Sequence, residues 1–144
     1  MPDEAILSDA DEPQNRTSGV LRILGAIAVL VVGAVHLQQY VGDGYSSVSV
    51  IGPLFLLNFA GATVIGLGLL PPAARLAVVR PLLALGGMGL AAASFVLLFV
   101  SEHQPLFGFQ EHGYRAGIVV ALAAEAVAVV ALAGYLAAWA RRRG

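Results

Sequence analysis

The chain has no cysteine and no lysine, and its 144 residues include only nine acidic and eight basic side chains. Without cysteine there can be no disulfide, thiolate metal site or sulfur redox chemistry. Without lysine there can be no Schiff-base lysine. Charged residues make up 12% of the chain against 58% hydrophobic, and the mean hydropathy is +0.83. A soluble domain carries about twice that charged fraction, so lipid is the better solvent for this composition. Signatures of serine hydrolases, P-loop nucleotide binding and zinc proteases are absent, as are paired aspartates, and no enzymatic activity is predicted. The only basic cluster is Arg141-Arg142-Arg143, which suits anionic lipid better than nucleic acid.

What is present is long uncharged sequence. Arg22 to Asp43 encloses 20 uncharged residues, Asp43 to Arg75 encloses 31, Arg80 to Glu102 encloses 21, and Arg115 to Arg141 encloses 25 interrupted only by Glu125. About 20 apolar residues in a helix cross the hydrocarbon core of a bilayer. Four spans are therefore predicted, at 20–41, 50–70, 81–101 and 116–140. Pro53 and Pro81 fall in first turns, where a missing N–H costs little, and Pro71-Pro72 closes the second span. Residues 1–19, with Asp3, Glu4, Asp9, Asp11 and Glu12, have too little apolar surface to fold and read as a disordered acidic tail. Residues 141–144 form a short basic tail. The first span is too long, and its flank too acidic, for a cleaved signal peptide.

Arginines near span ends are retained in the cytoplasm. In a four-span arrangement Arg16, Arg22, Arg75, Arg80, Arg141, Arg142 and Arg143 share one side, and Arg115 alone lies on the other. The predicted fold is thus an all-α integral membrane bundle of four antiparallel helices with both termini cytoplasmic. Tyr135 and Trp139 belong at the inner interface, and Tyr40, Tyr45, Phe107, Phe109 and Tyr114 at the outer one. Small residues such as Gly61, Ala62, Gly66, Gly87, Ala121 and Ala128 allow close helix approach. An offset of 67 residues aligns His36 with His103 and Asn58 with Glu125, the trace expected of a duplicated hairpin.

Polar groups at membrane depth are the natural candidates for function, because each costs free energy that apolar packing avoids. Glu125 lies nine residues past Ala116, about 14 Å along the helix and near the midplane. An ionised, unpaired carboxylate there costs about 2.5–3.5 kcal/mol, so Glu125 is expected to face the bundle and to be protonated or paired. Asn58, in the second span, is placed to meet it. His36 lies near the outer end of the first span with Gly33 at i−3, which leaves room over the ring for a ligand or a crossing helix. These three form a candidate proton or ligand site, though each also suits a structural hydrogen bond. The outer loop carries Glu102-His103 and Glu111-His112 around a Leu106-Phe107-Gly108-Phe109 knuckle that suits insertion among headgroups. With His36 on the same membrane face, His103, His112, Glu102 and Glu111 offer nitrogen and oxygen ligands for zinc or iron, while haem would need His36 and His103 as axial pair. The spacing matches no metal signature, and no cofactor is predicted.

At Ile51-Gly52-Pro53-Leu54-Phe55-Leu56-Leu57-Asn58, Gly33-Ala34-Val35-His36-Leu37 and Leu106-Phe107-Gly108-Phe109-Gln110-Glu111, the chain resembles small four-helix hypothetical membrane proteins of high-GC Gram-positive bacteria. The likeness covers residues 20–140. It implies a bacterial plasma-membrane protein and carries over no catalytic residue. Three functions fit the residues. The first is a non-enzymatic accessory subunit or small binding module, whose partners are the bilayer and a homo-oligomer or larger membrane complex. The second is an oligomeric proton-coupled transporter of small molecules using Glu125. The third is an outer-face metal or haem module using His36, His103 and His112.

Overall fold

A computed structural model describes residues 3–113 and 115–143, with side chains from residue 15 onward except at 74. It is all-helical. Helix α1 spans Asp3–Gly42, α2 spans Ile51–Leu69, α3 spans Arg80–His103 and α4 spans Ala116–Arg141, with short 3-10 turns at Tyr45–Ser47 and Ala74–Leu76. All four helices are long and apolar enough to cross a membrane, α1 over its section Asn15–Gly42. The helix bounds fall within a few residues of the stretches marked out in the sequence at every end except the first. There the helix runs back to Asp3 through residues expected to be a disordered tail.

Helical conformation is what such segments must adopt where no water reaches the backbone, since a helix satisfies its own N–H and C=O groups. The ends are handled by sequence. Pro81 occupies the first turn of α3, and Pro53 the first turn of α2. Carbonyls at the C-terminus of α2 and in the connection that follows are taken by arginines. Arg22 of α1 donates Nη1 to Leu69 O and to Leu70 O at 3.0 Å, and Arg80 donates Nη2 to Pro71 O at 2.9 Å and Ala73 O at 2.7 Å. Arg22, counted above only as a charge that fixes orientation, is therefore buried and caps a neighbouring helix. At the same end of the bundle Arg142, just past α4, reaches Asn15 Oδ1 and Ser18 Oγ of α1, both at 2.9 Å.

The core is built of small residues. Ala26, Ala62, Ala84, Ala91 and Ala128 are fully buried, and among the described residues the only large side chains as deeply buried are Val29, Val32, Leu69 and Leu132. Leu132 of α4 fills the space left by Gly25 of α1 and Gly87 of α3, whose positions would bring a Cβ within 2.4 Å and 3.0 Å of it. Such packing lets helices associate by close contact where hydrophobic exclusion offers little. The outer surface is the reverse of a soluble protein's. Val20, Leu57, Val64, Leu82 and Val130 are each more than 60% exposed. Tyr135, expected at the inner interface, is buried in the core instead, and Tyr114 lies outside the described residues.

The chain is folded unevenly. α1 and α4 are its most buried helices, α2 and α3 its least, and α2 packs less closely on α3 than on α1. That loose seam runs along the cavity described next.

Candidate functional site

A cavity of about 310 Å³ lies among the four helices, and His36, Asn58 and Glu125 all line it. The sequence places these three on α1, α2 and α4, and the structure brings them to one space. Ser94 of α3 completes the set. Half of the remaining lining is leucine and phenylalanine, with isoleucine and alanine beside them, so polar chemistry is confined to a few groups in an apolar wall. That division is characteristic of small-molecule sites.

The histidine is held on both sides. Its Nδ1 lies 2.8 Å from the carbonyl of Val32, one turn back on α1, and its Nε2 lies 3.0 Å from Ser94 Oγ. A carbonyl oxygen can only accept, so Nδ1 carries the hydrogen and the neutral ring offers Nε2 as an acceptor to the Ser94 hydroxyl. Phe55 presents itself to the ring edge-on, with centroids 4.9 Å apart. Gly33 leaves the space over α1 that the sequence suggests, and α2 fills it. A Cβ on Gly33 would stand 2.8 Å from that of Ala62.

Glu125 is 2% exposed, and its Oε2 has no hydrogen-bond partner. The Ser94 hydroxyl that meets His36 Nε2 also stands near this carboxyl group. With the ring neutral, Ser94 donates to Nε2. Asn58 Oδ1 is the second buried polar atom on the cavity wall without a partner. Both unpartnered atoms are oxygens. Leaving such groups unpaired in a buried site costs about 1–3 kcal/mol each, and a ligand supplying donors would recover it.

One end of the cavity is closed by the connections α1–α2 and α3–α4. Tyr45 donates its phenol to Glu111 Oε2 and accepts from Arg115 Nη2, whose other nitrogen lies 3.9 Å from Asp43. The ring of Tyr45 stacks on Phe55 at 4.7 Å and meets Phe109 at 5.4 Å. Burial, and then the hydrogen bond to and charge of Glu111, push the Tyr45 phenol above the ordinary tyrosine range. The knuckle is a two-residue turn, with Leu106 and Phe109 exchanging backbone bonds at 2.7 and 2.9 Å. Leu106 and Phe109 turn inward to the cavity, while Phe107, at φ 51°, is 62% exposed at the tip. A positive φ is unusual for a bulky side chain, and the turn type requires it here.

The proposed metal set does not assemble. Among the described residues no three His, Asp or Glu side chains come together as a metal site. His103 is exposed and donates Nδ1–H to Phe99 O of its own helix at 2.7 Å, on a groove with Phe95 and Phe99 along α3. His112 is exposed and donates to Gln110 O at 3.0 Å. His36 alone faces the interior, so His36 and His103 do not bracket a common cavity as axial haem ligands must. Glu111 pairs with Tyr45 and Arg115 at the closed end of the site, and Glu102 lies outside its lining. The 67-residue offset likewise pairs a buried histidine with an exposed one. Ser94, Gln39, Ser101 and Tyr45 line the site but were not singled out as site residues from the sequence. A serine hydroxyl in an apolar span is the one signal that pointed to Ser94.

The chain matches no family model, no curated protein and no solved structure.

Proposed function

We propose that this chain is a multi-pass membrane protein that binds a small apolar molecule in the cavity between its helices. It acts as a binding module rather than an enzyme. The observation that carries this reading is the convergence of His36, Ser94, Asn58 and Glu125, one from each helix, on a single apolar cavity with two unpartnered oxygens. A bundle stabilised only by interhelical hydrogen bonds has reason to pair these groups with one another. Here they are gathered and left partly unpaired.

The helices run antiparallel in this reading, in a bacterial plasma membrane. Both ends are cytoplasmic, and the Tyr45–Glu111–Arg115 closure faces outward. The seven-to-one arginine distribution supports that orientation, as does the clasp of Arg22 and Arg80 at the opposite end from Tyr45. Reporter fusions at each terminus should both score cytoplasmic, and termini in opposite compartments would refute the topology.

Dicyclohexylcarbodiimide tests the cavity. This apolar reagent adds to carboxylic acids that it reaches in a low-dielectric site, and yields a stable acylurea. Treated in bilayer nanodiscs, the protein should be modified at Glu125, as read by peptide mass, and Ala121→Leu, which fills the cavity beside it, should suppress the adduct. A folded protein whose Glu125 stays unmodified would show that the cavity admits no small molecule.

A further inference from the structure

We propose that the cavity receives a lipophilic amine, which enters sideways from the bilayer between α2 and α3 and is held as an ion pair by Glu125 and Asn58. The proposal rests on the binding reading above and names the ligand class.

The route follows from the walls. Toward the connections the site is shut by Tyr45, Glu111, Arg115 and Phe109, which bond and stack on one another. Toward the seam between α2 and α3 the wall is one side chain thick. Leu54 and Leu57 of α2 and Leu97 of α3 line the cavity, yet they are 38%, 67% and 42% exposed on the outer surface. Leucine side chains that touch the cavity on one side and lipid on the other can swing aside on rotamer timescales. A molecule dissolved in the hydrocarbon therefore meets the site without crossing water.

The chemistry follows from what is unpaired. Asn58 Oδ1 and Glu125 Oε2 accept hydrogen bonds and have none, so the ligand must donate. Glu125 is the only acidic residue of the four spans that faces this space. The titratable groups around it are His36 from α1 and, at the closed end, Tyr45 and Glu111, while α2 and α3 contribute none. No arginine lines the cavity. A cation is accordingly the partner that the carboxylate lacks. An amine arriving from hydrocarbon does so as the neutral free base. Its nitrogen lone pair takes the proton from the Glu125 carboxyl, which gives an ammonium beside a carboxylate. No net charge crosses the apolar wall, and no proton is exchanged with water. The ammonium N–H groups then reach Glu125 Oε2 and Asn58 Oδ1. An alcohol of the same shape would fill the cavity but form no ion pair, and a carboxylate would be repelled.

Adamantan-1-amine, adamantan-1-ol and adamantane-1-carboxylate are one compact apolar body with three head groups. Titrated by calorimetry against the full chain in nanodiscs, the amine should bind at one site per chain, the alcohol more weakly, and the carboxylate not measurably. Glu125→Gln should weaken the amine by at least about tenfold, or about 1.4 kcal/mol, and leave the alcohol within about twofold. The retained alcohol binding shows that the variant still folds. Asn58→Leu, which changes no charge, should weaken the amine as well. Equal losses for amine and alcohol, or amine binding indifferent to Glu125→Gln, overturn the ion pair and leave the binding module standing. If none of the three binds, the amine proposal falls. Absence of carbodiimide modification then decides whether the binding reading falls with it.

Discussion

Replacing Gly33 by leucine is expected to destabilise the protein by about 3 kcal/mol, at the upper end of what overpacking a helix contact costs. A Cβ at Gly33 would lie 2.8 Å from the Ala62 Cβ and 3.4 Å from the Phe59 carbonyl oxygen. Both atoms are fixed to the backbone of α2, so no rotamer change makes room, and α1 and α2 must separate. The contact at Gly25 is closer, at 2.4 Å, but it is to the Leu132 side chain and not to atoms fixed to a backbone. Gly33→Ala should therefore cost more than Gly25→Ala despite the longer distance. Gly89 is the control, with nothing within 4 Å. Gly89→Ala should be neutral or stabilise by about 0.5–1 kcal/mol, because alanine loses less backbone freedom in a helix. Unfolding in detergent followed by circular dichroism separates these cases. Indistinguishable midpoints for Gly33→Leu and Gly89→Ala would show that α1 and α2 do not meet here. Gly33 also lies one turn from His36, so its enlargement should draw the imidazole away from Phe55 and weaken binding in the cavity.

The four helices were legible because a count of residues between charges finds segments long and apolar enough to cross a bilayer, and such segments are helical here. Glu125 facing inward, and Asn58 and His36 turning toward the same interior, were legible for a related reason, since a polar group on an otherwise apolar helix is better placed among other polar groups than on its apolar outer face. The small-residue core was legible only as a tendency. Sequence named Gly61, Gly66 and Gly87 as contact candidates, but which side chain each receives, such as Leu132 against Gly87, depends on how the helices rotate and cross. The helical stretch before Asn15 was missed because composition measures how much apolar surface can be buried. It does not measure whether an existing helix can extend from its end.

The site was legible in its polar spans and misread in its loop. His103 and Glu102 look like ligands because they sit beside other ligand-type residues in the chain. Helix geometry carries His103 to the outer surface of α3, where its own backbone takes its Nδ1–H. Glu111 points inward from the same loop because the Leu106–Phe109 turn folds the segment over the bundle and because Tyr45 and Arg115, 66 and 4 residues away, hold it there. Pairings across such separations leave no pattern in the sequence. Ser94 is a milder case. Its serine was visible, but its meaning depends on standing between His36 and Glu125, which no spacing within α3 reveals.

That same closure supplies the second large effect. Tyr45→Phe removes the phenol that donates to Glu111, a carboxylate only 7% exposed, and accepts from Arg115. Hydrogen bonds to charged groups contribute about 1.5–3 kcal/mol, and the ring stacking survives the change, so the loss should fall in that range. The cost should depend on pH in one direction. Because burial and Glu111 raise the folded-state phenol above the usual value near 10, its contribution is complete below that value. It is lost as pH rises through the higher folded-state value, since the unfolded chain gives up its proton first. The advantage of the wild type over Tyr45→Phe should accordingly be constant near neutral pH and shrink above about pH 10. A difference that stays the same across the alkaline range would mean that the phenol is not held by Glu111. Opening of the closure has a functional reading too. Tyr45 and Glu111 both line the cavity, so Tyr45→Phe should admit water from the connection side, and an amine arriving from the bilayer should then bind more weakly than to the wild type. The alcohol probe, which depends on shape alone, should lose less.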